Sequence, residues 1–186
     1  MLKTLLNAVI RRKERQWRYD AGYMHRITDV SAWTSLKFAV VTSLVNRRDA
    51  PAEALAAASL AGTLHEDCGP CTQLSVDMAA AGGVAPAVLR AILAGDRARM
   101  GEAAALAYGF AQAVLAHDGE ADALRDVIVE RWGEKGLVAL SLAITTARMY
   151  PTLKYALGYG KTCARVSVAG APAPFCRPLE RTPEAA

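Results

Sequence analysis

Aromatic side chains are scarce in these 186 residues, at 6%. No stretch alternates apolar and polar residues for long enough to make a strand. Both shortages count against a sheet, because aromatic and β-branched residues lead in strands and a half-buried strand has period two. Long apolar runs are missing too. The most apolar windows, residues 38–45 and 137–147, fall short of the ~20 residues a bilayer span needs, so no membrane partner is expected. Apolar residues precede basic ones at the N-terminus, the reverse of a secretory signal, and the expected location is cytoplasmic.

Charge of one sign is nearly absent from the body of the chain. Residues 1–18 hold six basic groups (Lys3, Arg11, Arg12, Lys13, Arg15, Arg18) against Glu14, so the overall +4 leaves the remainder at −1. A basic run confined to one terminal helix reads as a solvated face or a subunit contact, and no nucleic-acid partner is expected.

What is present is alanine and leucine, within a hydrophobic fraction of 53%. These are strong helix formers, and they predict an all-α fold. Leu2, Leu5, Leu6, Val9 and Ile10 form the apolar stripe of an amphipathic helix from Met1 to Arg18, which needs a covering surface and predicts a homo-oligomer. Residues 31–46 are apolar nearly all round and predict a buried helix. Further helices follow over 51–64, from Cys68 to the Gly82-Gly83 stop, from Pro86 to Gly95, over 101–117 and 120–132, and from Glu134 to a bend or restart at Pro151. The division is an N-terminal helical extension over 1–50, a helical core over 51–166 and a Pro-rich tail over 167–186, expected to pack poorly. Ser59-Leu60-Ala61 and Thr63 recur as Ser141-Leu142-Ala143 and Thr145, which suggests a duplicated helical unit.

The most specific stretch is His65-Glu66-Asp67-Cys68-Gly69-Pro70-Cys71. With Asp67 as N-cap, Cys68 takes the first helical position, and the helix dipole and unpaired amides there favour a thiolate. Cys71, three residues on, lies on the same face within disulfide reach. Inert core cysteines, a zinc site and dithiol redox chemistry all compete for such a pair. Zinc needs two more ligands, with His65, Cys163 and Cys176 the candidates, and no metal or cofactor is expected. Cys-Gly-Pro-Cys also occurs at thioredoxin active sites, but there it follows a strand, and here an alanine-rich helix precedes it.

A helix leading into Cys-x-x-Cys at the next helix start, with a Gly-rich stop and a later Gly133-Glu134-Lys135-Gly136-Leu137-Val138 helix start, resembles the alkylhydroperoxidase D and carboxymuconolactone decarboxylase superfamily over residues 51–165. That resemblance implies an alkylhydroperoxidase D-like helical bundle built from a duplicated unit and assembled as a trimer or hexamer. It implies a peroxidatic Cys71 and a resolving Cys68, a hydroperoxide or disulfide substrate and a thiol electron-donor protein. The family motif also has a glutamate twelve residues before the first cysteine and a histidine four after the second; Ala56 and Ser75 stand there. Glu53, His65, Glu66 and Ser75 are the candidate substitutes for the relay. Met149, Tyr150, Tyr155 and Tyr159 are candidates to line a pocket, while His25 and His117 read as structural or surface residues. Two other readings stand beside the thiol–disulfide oxidoreductase: a decarboxylase-like enzyme without cysteine chemistry, and a non-catalytic redox-sensing or ligand-binding oligomer.

Overall fold

Alanine decides how closely the helices of this chain approach one another. The structure is a computed structural model that describes residues 1–43, 48–160 and 166–173. In chain order its helices are α1 (Leu2–Trp17), α2 (Gly22–Val30), α3 (Ala32–Thr42), α4 (Ala52–His65), α5 (Gly69–Ala81), α6 (Pro86–Ala94), α7 (Glu102–Ala116) and α8 (Glu120–Ala156), with a short 3-10 helix, Arg97–Arg99, before α7. The described residues are all-α apart from two two-residue strands, β1 (Ser167–Val168) and β2 (Ala171–Pro172).

The central helix is α4, buried from Ala54 to Ala58 and again from Leu60 to Leu64. Because it is covered on every side, its apolar residues need no stripe, and α5, α6, α7 and α8 all pack against it. At Gly62 the approach to α8 is close. A Cβ built on Gly62 would stand 2.9 Å from the Ile144 carbonyl oxygen and 3.2 Å from the Ala147 Cβ, so glycine is the residue that fits. The two matching segments lie on neighbouring helices, but in unlike surroundings: Thr63 is buried and Thr145 exposed. Each threonine hydroxyl donates to its own helix, to Leu60 O and Ser141 O respectively.

Gly133, at φ 69° and ψ 178°, interrupts α8, as the sequence suggested for a new helix start at Glu134. Pro151 does not stop the helix, which runs on to Ala156. The glycine stops hold: Gly83 has φ 91°, and Gly95 caps α6 in the left-handed region at φ 70°.

One expectation fails. The helix over 31–46 is not a core helix: Ser35 is the one buried residue of α3, while Trp33 is 66% exposed and Val40 and Val41 also face out. Its contacts are edge-on, with Phe38 packed T-shaped on Tyr150 and Thr42 Oγ1 accepting from the Tyr150 hydroxyl at 2.6 Å. An all-round apolar sequence says that a helix seeks cover, not that its own subunit provides it. Of the Pro-rich tail only residues 167–173 are described, the rest of that expectation lying outside the described residues, and this first part is anchored to the core. Val166 and Val168 are buried, Gln73 bonds to both backbone groups of Ser167, and Arg90 donates to the carbonyls of Val168 and Pro172. The turn needs positive φ at Ala169 and Gly170, the twist that suits a two-residue hairpin.

The α1 helix is amphipathic as expected, and none of its residues is buried. Polar bonds join it to α2. Glu14 accepts from the Ala21 amide (3.0 Å) and pairs with His25 (3.1 Å), His25 also bonds Asn7, and Lys3 pairs with Asp29 (3.0 Å). His25 is thus a structural residue.

Gly62→Ala tests the central contact. Helix propensity favours alanine by about 1 kcal/mol, and overpacking costs about 1–3 kcal/mol. The expected outcome is a net loss of stability in urea unfolding, with an unchanged slope.

Candidate functional site around Cys68 and Cys71

The chain leaves α4 at His65 and reverses in two residues. Glu66 is the C-cap, the Asp67 amide donates to the Leu64 carbonyl (3.1 Å), and Asp67 takes a left-handed φ of 49°. Aspartate tolerates that conformation better than most residues. The reversal uses Asp67, so the N-cap of α5 is Cys68 and the helix begins at Gly69, one residue later than the sequence suggested. Pro70 is the second helical residue, where its missing N–H costs nothing, and Cys71 is the third. The Thr72 amide and hydroxyl both donate to the Cys68 carbonyl, at 2.9 and 3.0 Å, which closes the first turn.

Cys68 and Cys71 form a disulfide, with Cα atoms 5.3 Å apart. The two sulfurs are not equivalent. Cys71 is 4% exposed and packs inward, whereas Cys68 is half-buried at the helix tip. An incoming thiol therefore meets Cys68 first.

The proposed relay residues divide. Glu66 adjoins the pair in sequence, but its carboxylate is engaged elsewhere: Oε1 accepts from Arg148 Nε at 2.6 Å and Oε2 from the Thr152 hydroxyl at 3.1 Å. That ion pair joins the end of α4 to α8. His65 is half-buried as the last residue of α4. Glu53 is exposed in the first turn of the same helix, twelve residues and therefore about 18 Å of helix axis from His65. Ser75 is half-buried one turn beyond Cys71, and among the described residues no hydrogen bond joins it to that sulfur. Ala56 is buried in the α4 core, where a carboxylate would need a partner. Cys163 and Cys176 lie outside the described residues. Among those described, no group of three or more His, Cys, Asp or Glu side chains gathers to hold a metal.

The sequence reading missed the residues that touch Cys71. The hydroxyl of Tyr19, in the link between α1 and α2, lies 3.9 Å from Cys71 Sγ and 3.4 Å from the hydroxyl of Tyr23. Tyr23 is 2% exposed, and its ring packs against Tyr159. Lys154 from α8, itself 4% exposed, places Nζ 5.3 Å from the centre of the Tyr19 ring. Burial raises the pKa of both phenols, most strongly that of Tyr23, and lowers that of Lys154. Of the proposed pocket-lining aromatics, Tyr159 reaches this cluster, Tyr150 packs on α3 and Tyr155 faces solvent. Nothing in the sequence linked position 19 to position 71, because the contact spans fifty-two residues and two separate helical units. A cleft of about 140 Å³ lies beside it, walled by residues 17–20 on one side and by Pro70, Gln73, Leu74 and Asp77 of α5 on the other.

No helix among the described residues is long and apolar enough to cross a membrane. The chain matches no protein-family model, and comparison with curated proteins and with solved structures gives no match either.

The Glu66–Arg148 pair is expected to be structural. Glu66→Gln and Arg148→Met, singly and together in a double-mutant cycle, are expected to show a coupling of about 0.5–1 kcal/mol in unfolding. Reduction of the disulfide is expected to proceed unchanged in Glu66→Gln and in Glu53→Gln, followed as thiol release in dithiothreitol.

Proposed function

We propose that this chain is a thiol–disulfide oxidoreductase of the alkylhydroperoxidase D type, working in the reducing cytoplasm. The observation that carries the reading is the Cys68–Cys71 disulfide at the first turn of α5, with one sulfur accessible and the other enclosed. The order of elements supports it too. A long buried helix, α4, leads into the cysteine turn, and α5 to α8 complete an all-helical bundle around it.

In the working cycle a thiolate of the donor protein attacks Cys68, and Cys71 leaves with the electron pair. A second donor thiol then releases Cys68. With a hydroperoxide as oxidant, the Cys71 thiolate attacks the peroxide oxygen, the O–O bond breaks and an alkoxide leaves. Cys68 then displaces hydroxide from the sulfenic acid to restore the disulfide. The exchange half of the cycle has the stronger support, because Ala56 and Ser75 occupy the places of the family's glutamate and histidine.

The exposed apolar residues of α1 and α3 favour a homo-oligomer, of the trimer or hexamer kind that the resemblance implies. Leu5 is 63% exposed, and Val9, Trp33, Val40 and Val41 add to a surface that water solvates poorly. This surface also keeps a second reading in play, a redox sensor whose disulfide alters assembly rather than turning over substrate.

Thiol counting after mixing the reduced protein with an organic hydroperoxide tests the chemistry. The parent is expected to lose two thiols as Cys68 and Cys71 pair, and Cys68→Ser to hold a one-oxygen adduct on Cys71. Equal oxidation rates in the parent and Cys71→Ser would rule out the peroxide step. Sedimentation tests assembly: Leu5→Glu combined with Trp33→Glu is expected to yield a smaller species. A sedimentation coefficient that tracks the disulfide, with negligible turnover, selects the sensor.

A further inference from the structure

A thiolate released at Cys71 has a solvation problem. Cys71 is 4% exposed, so little water reaches the charge that forms when the disulfide opens, and a buried anion without a donor is costly. Position three of α5 offers the partial positive charge of a helix N-terminus, but Pro70 removes one of the amides that would face the sulfur. A side-chain donor is needed, and α1–α2 delivers one.

We propose that the Tyr19 hydroxyl is the hydrogen-bond donor to the Cys71 thiolate, and that Tyr23 and Lys154 position and polarise it. The proposal rests on the dithiol reading above and adds the group that makes Cys71 a competent leaving and attacking sulfur. Tyr19 brings that donor from the link between α1 and α2.

With the disulfide closed, Cys71 is a weak acceptor and the Tyr19 hydroxyl donates to Tyr23, at 3.4 Å. Reduction changes the acceptor. A donor dithiol attacks Cys68 Sγ, the S–S bond breaks and its electron pair leaves on Cys71 Sγ. The second donor thiolate then attacks the donor's own sulfur in the mixed disulfide and frees Cys68, so two electrons pass and the donor departs as a disulfide. The Tyr19 O–H turns to the new thiolate, 3.9 Å away in the oxidised form, and accepts from the Tyr23 hydroxyl behind it. The Tyr19 hydroxyl both accepts and donates in that chain, and such coupled bonds strengthen one another. Burial keeps both phenols protonated through neutral pH, as a donor must be. The Lys154 ammonium against the Tyr19 ring draws electron density from the phenol and sharpens its O–H as a donor. Charged or titratable groups around the pair include Arg18, Asp20 and Asp77 along the cleft, Tyr150 and Arg148 on α8, and His65, Glu66 and Asp67 at the end of α4.

The experiment uses the full chain with Cys68→Ser, which leaves Cys71 free, and follows iodoacetamide labelling of the Cys71 peptide by mass spectrometry across pH. Adding Tyr19→Phe is expected to raise the labelling midpoint by about one pH unit, which is about tenfold slower labelling below it. Tyr23→Phe, which keeps its buried ring, is expected to shift it in the same direction by less. Tyr150→Phe removes a phenol that does not touch the sulfur and is expected to leave it in place. In the chain with both cysteines, Tyr19→Phe is expected to move the equilibrium with dithiothreitol about tenfold toward the disulfide. A reducible Cys68–Cys71 pair whose midpoint and equilibrium are unmoved by Tyr19→Phe and Tyr23→Phe overturns the proposal and leaves the dithiol reading standing. Failure of dithiothreitol to open the pair in the parent chain overturns both.

Discussion

The close approach of α4 to α8 is the constraint on which the rest of this structure depends. It is set by Gly62, whose missing side chain lets the Ile144 carbonyl and Ala147 sit against the α4 backbone. Gly62 and Glu66 are one turn apart on the same face, and the Arg148 Cγ lies 3.4 Å from the Cβ position of Gly62. The contact that brings the helices together therefore also sets the guanidinium on Glu66, and so fixes the end of α4 from which the cysteine turn departs. Further along α8, Tyr150 and Lys154 extend the same helix toward the N-terminal unit, one meeting α3 and the other Tyr19. A single helix thus braces the cysteine turn from below and its tyrosine neighbour from the side.

Most of the helix pattern could be read from punctuation. Pro86 and Gly95 bracket α6, Gly82-Gly83 ends α5, and Gly133 interrupts α8, because proline and glycine act through the local backbone and need no knowledge of the fold. The misreadings have the opposite character. Whether α3 is buried depends on what lies opposite it, and periodicity carries no such information. The packing of β1 and β2 was hidden because Gln73 and Arg90 make their bonds to main-chain groups.

The candidate site was legible to the same degree. Cys68 and Cys71 announce themselves by spacing, and their helix start was placed to within one residue. Charge beside a cysteine pair in sequence was a poorer guide: Glu66 turns to Arg148, and Glu53 stands at the far end of α4. The group that meets the buried sulfur comes instead from the four-residue link between α1 and α2, backed by Lys154 from the last turns of α8. Only the tertiary fold joins them.

The hairpin formed by β1 and β2 has a consequence of its own. Gln73, two residues past Cys71, exchanges bonds with Ser167 through main-chain atoms, and Arg90 likewise grips carbonyls rather than side chains. Recognition of that kind is indifferent to most of the letters spelled along the strand. Apart from the two buried valines and the turn at Gly170, the strap can drift in sequence while its hold on the cysteine helix persists, so the burden of fidelity falls on Gln73 and Arg90.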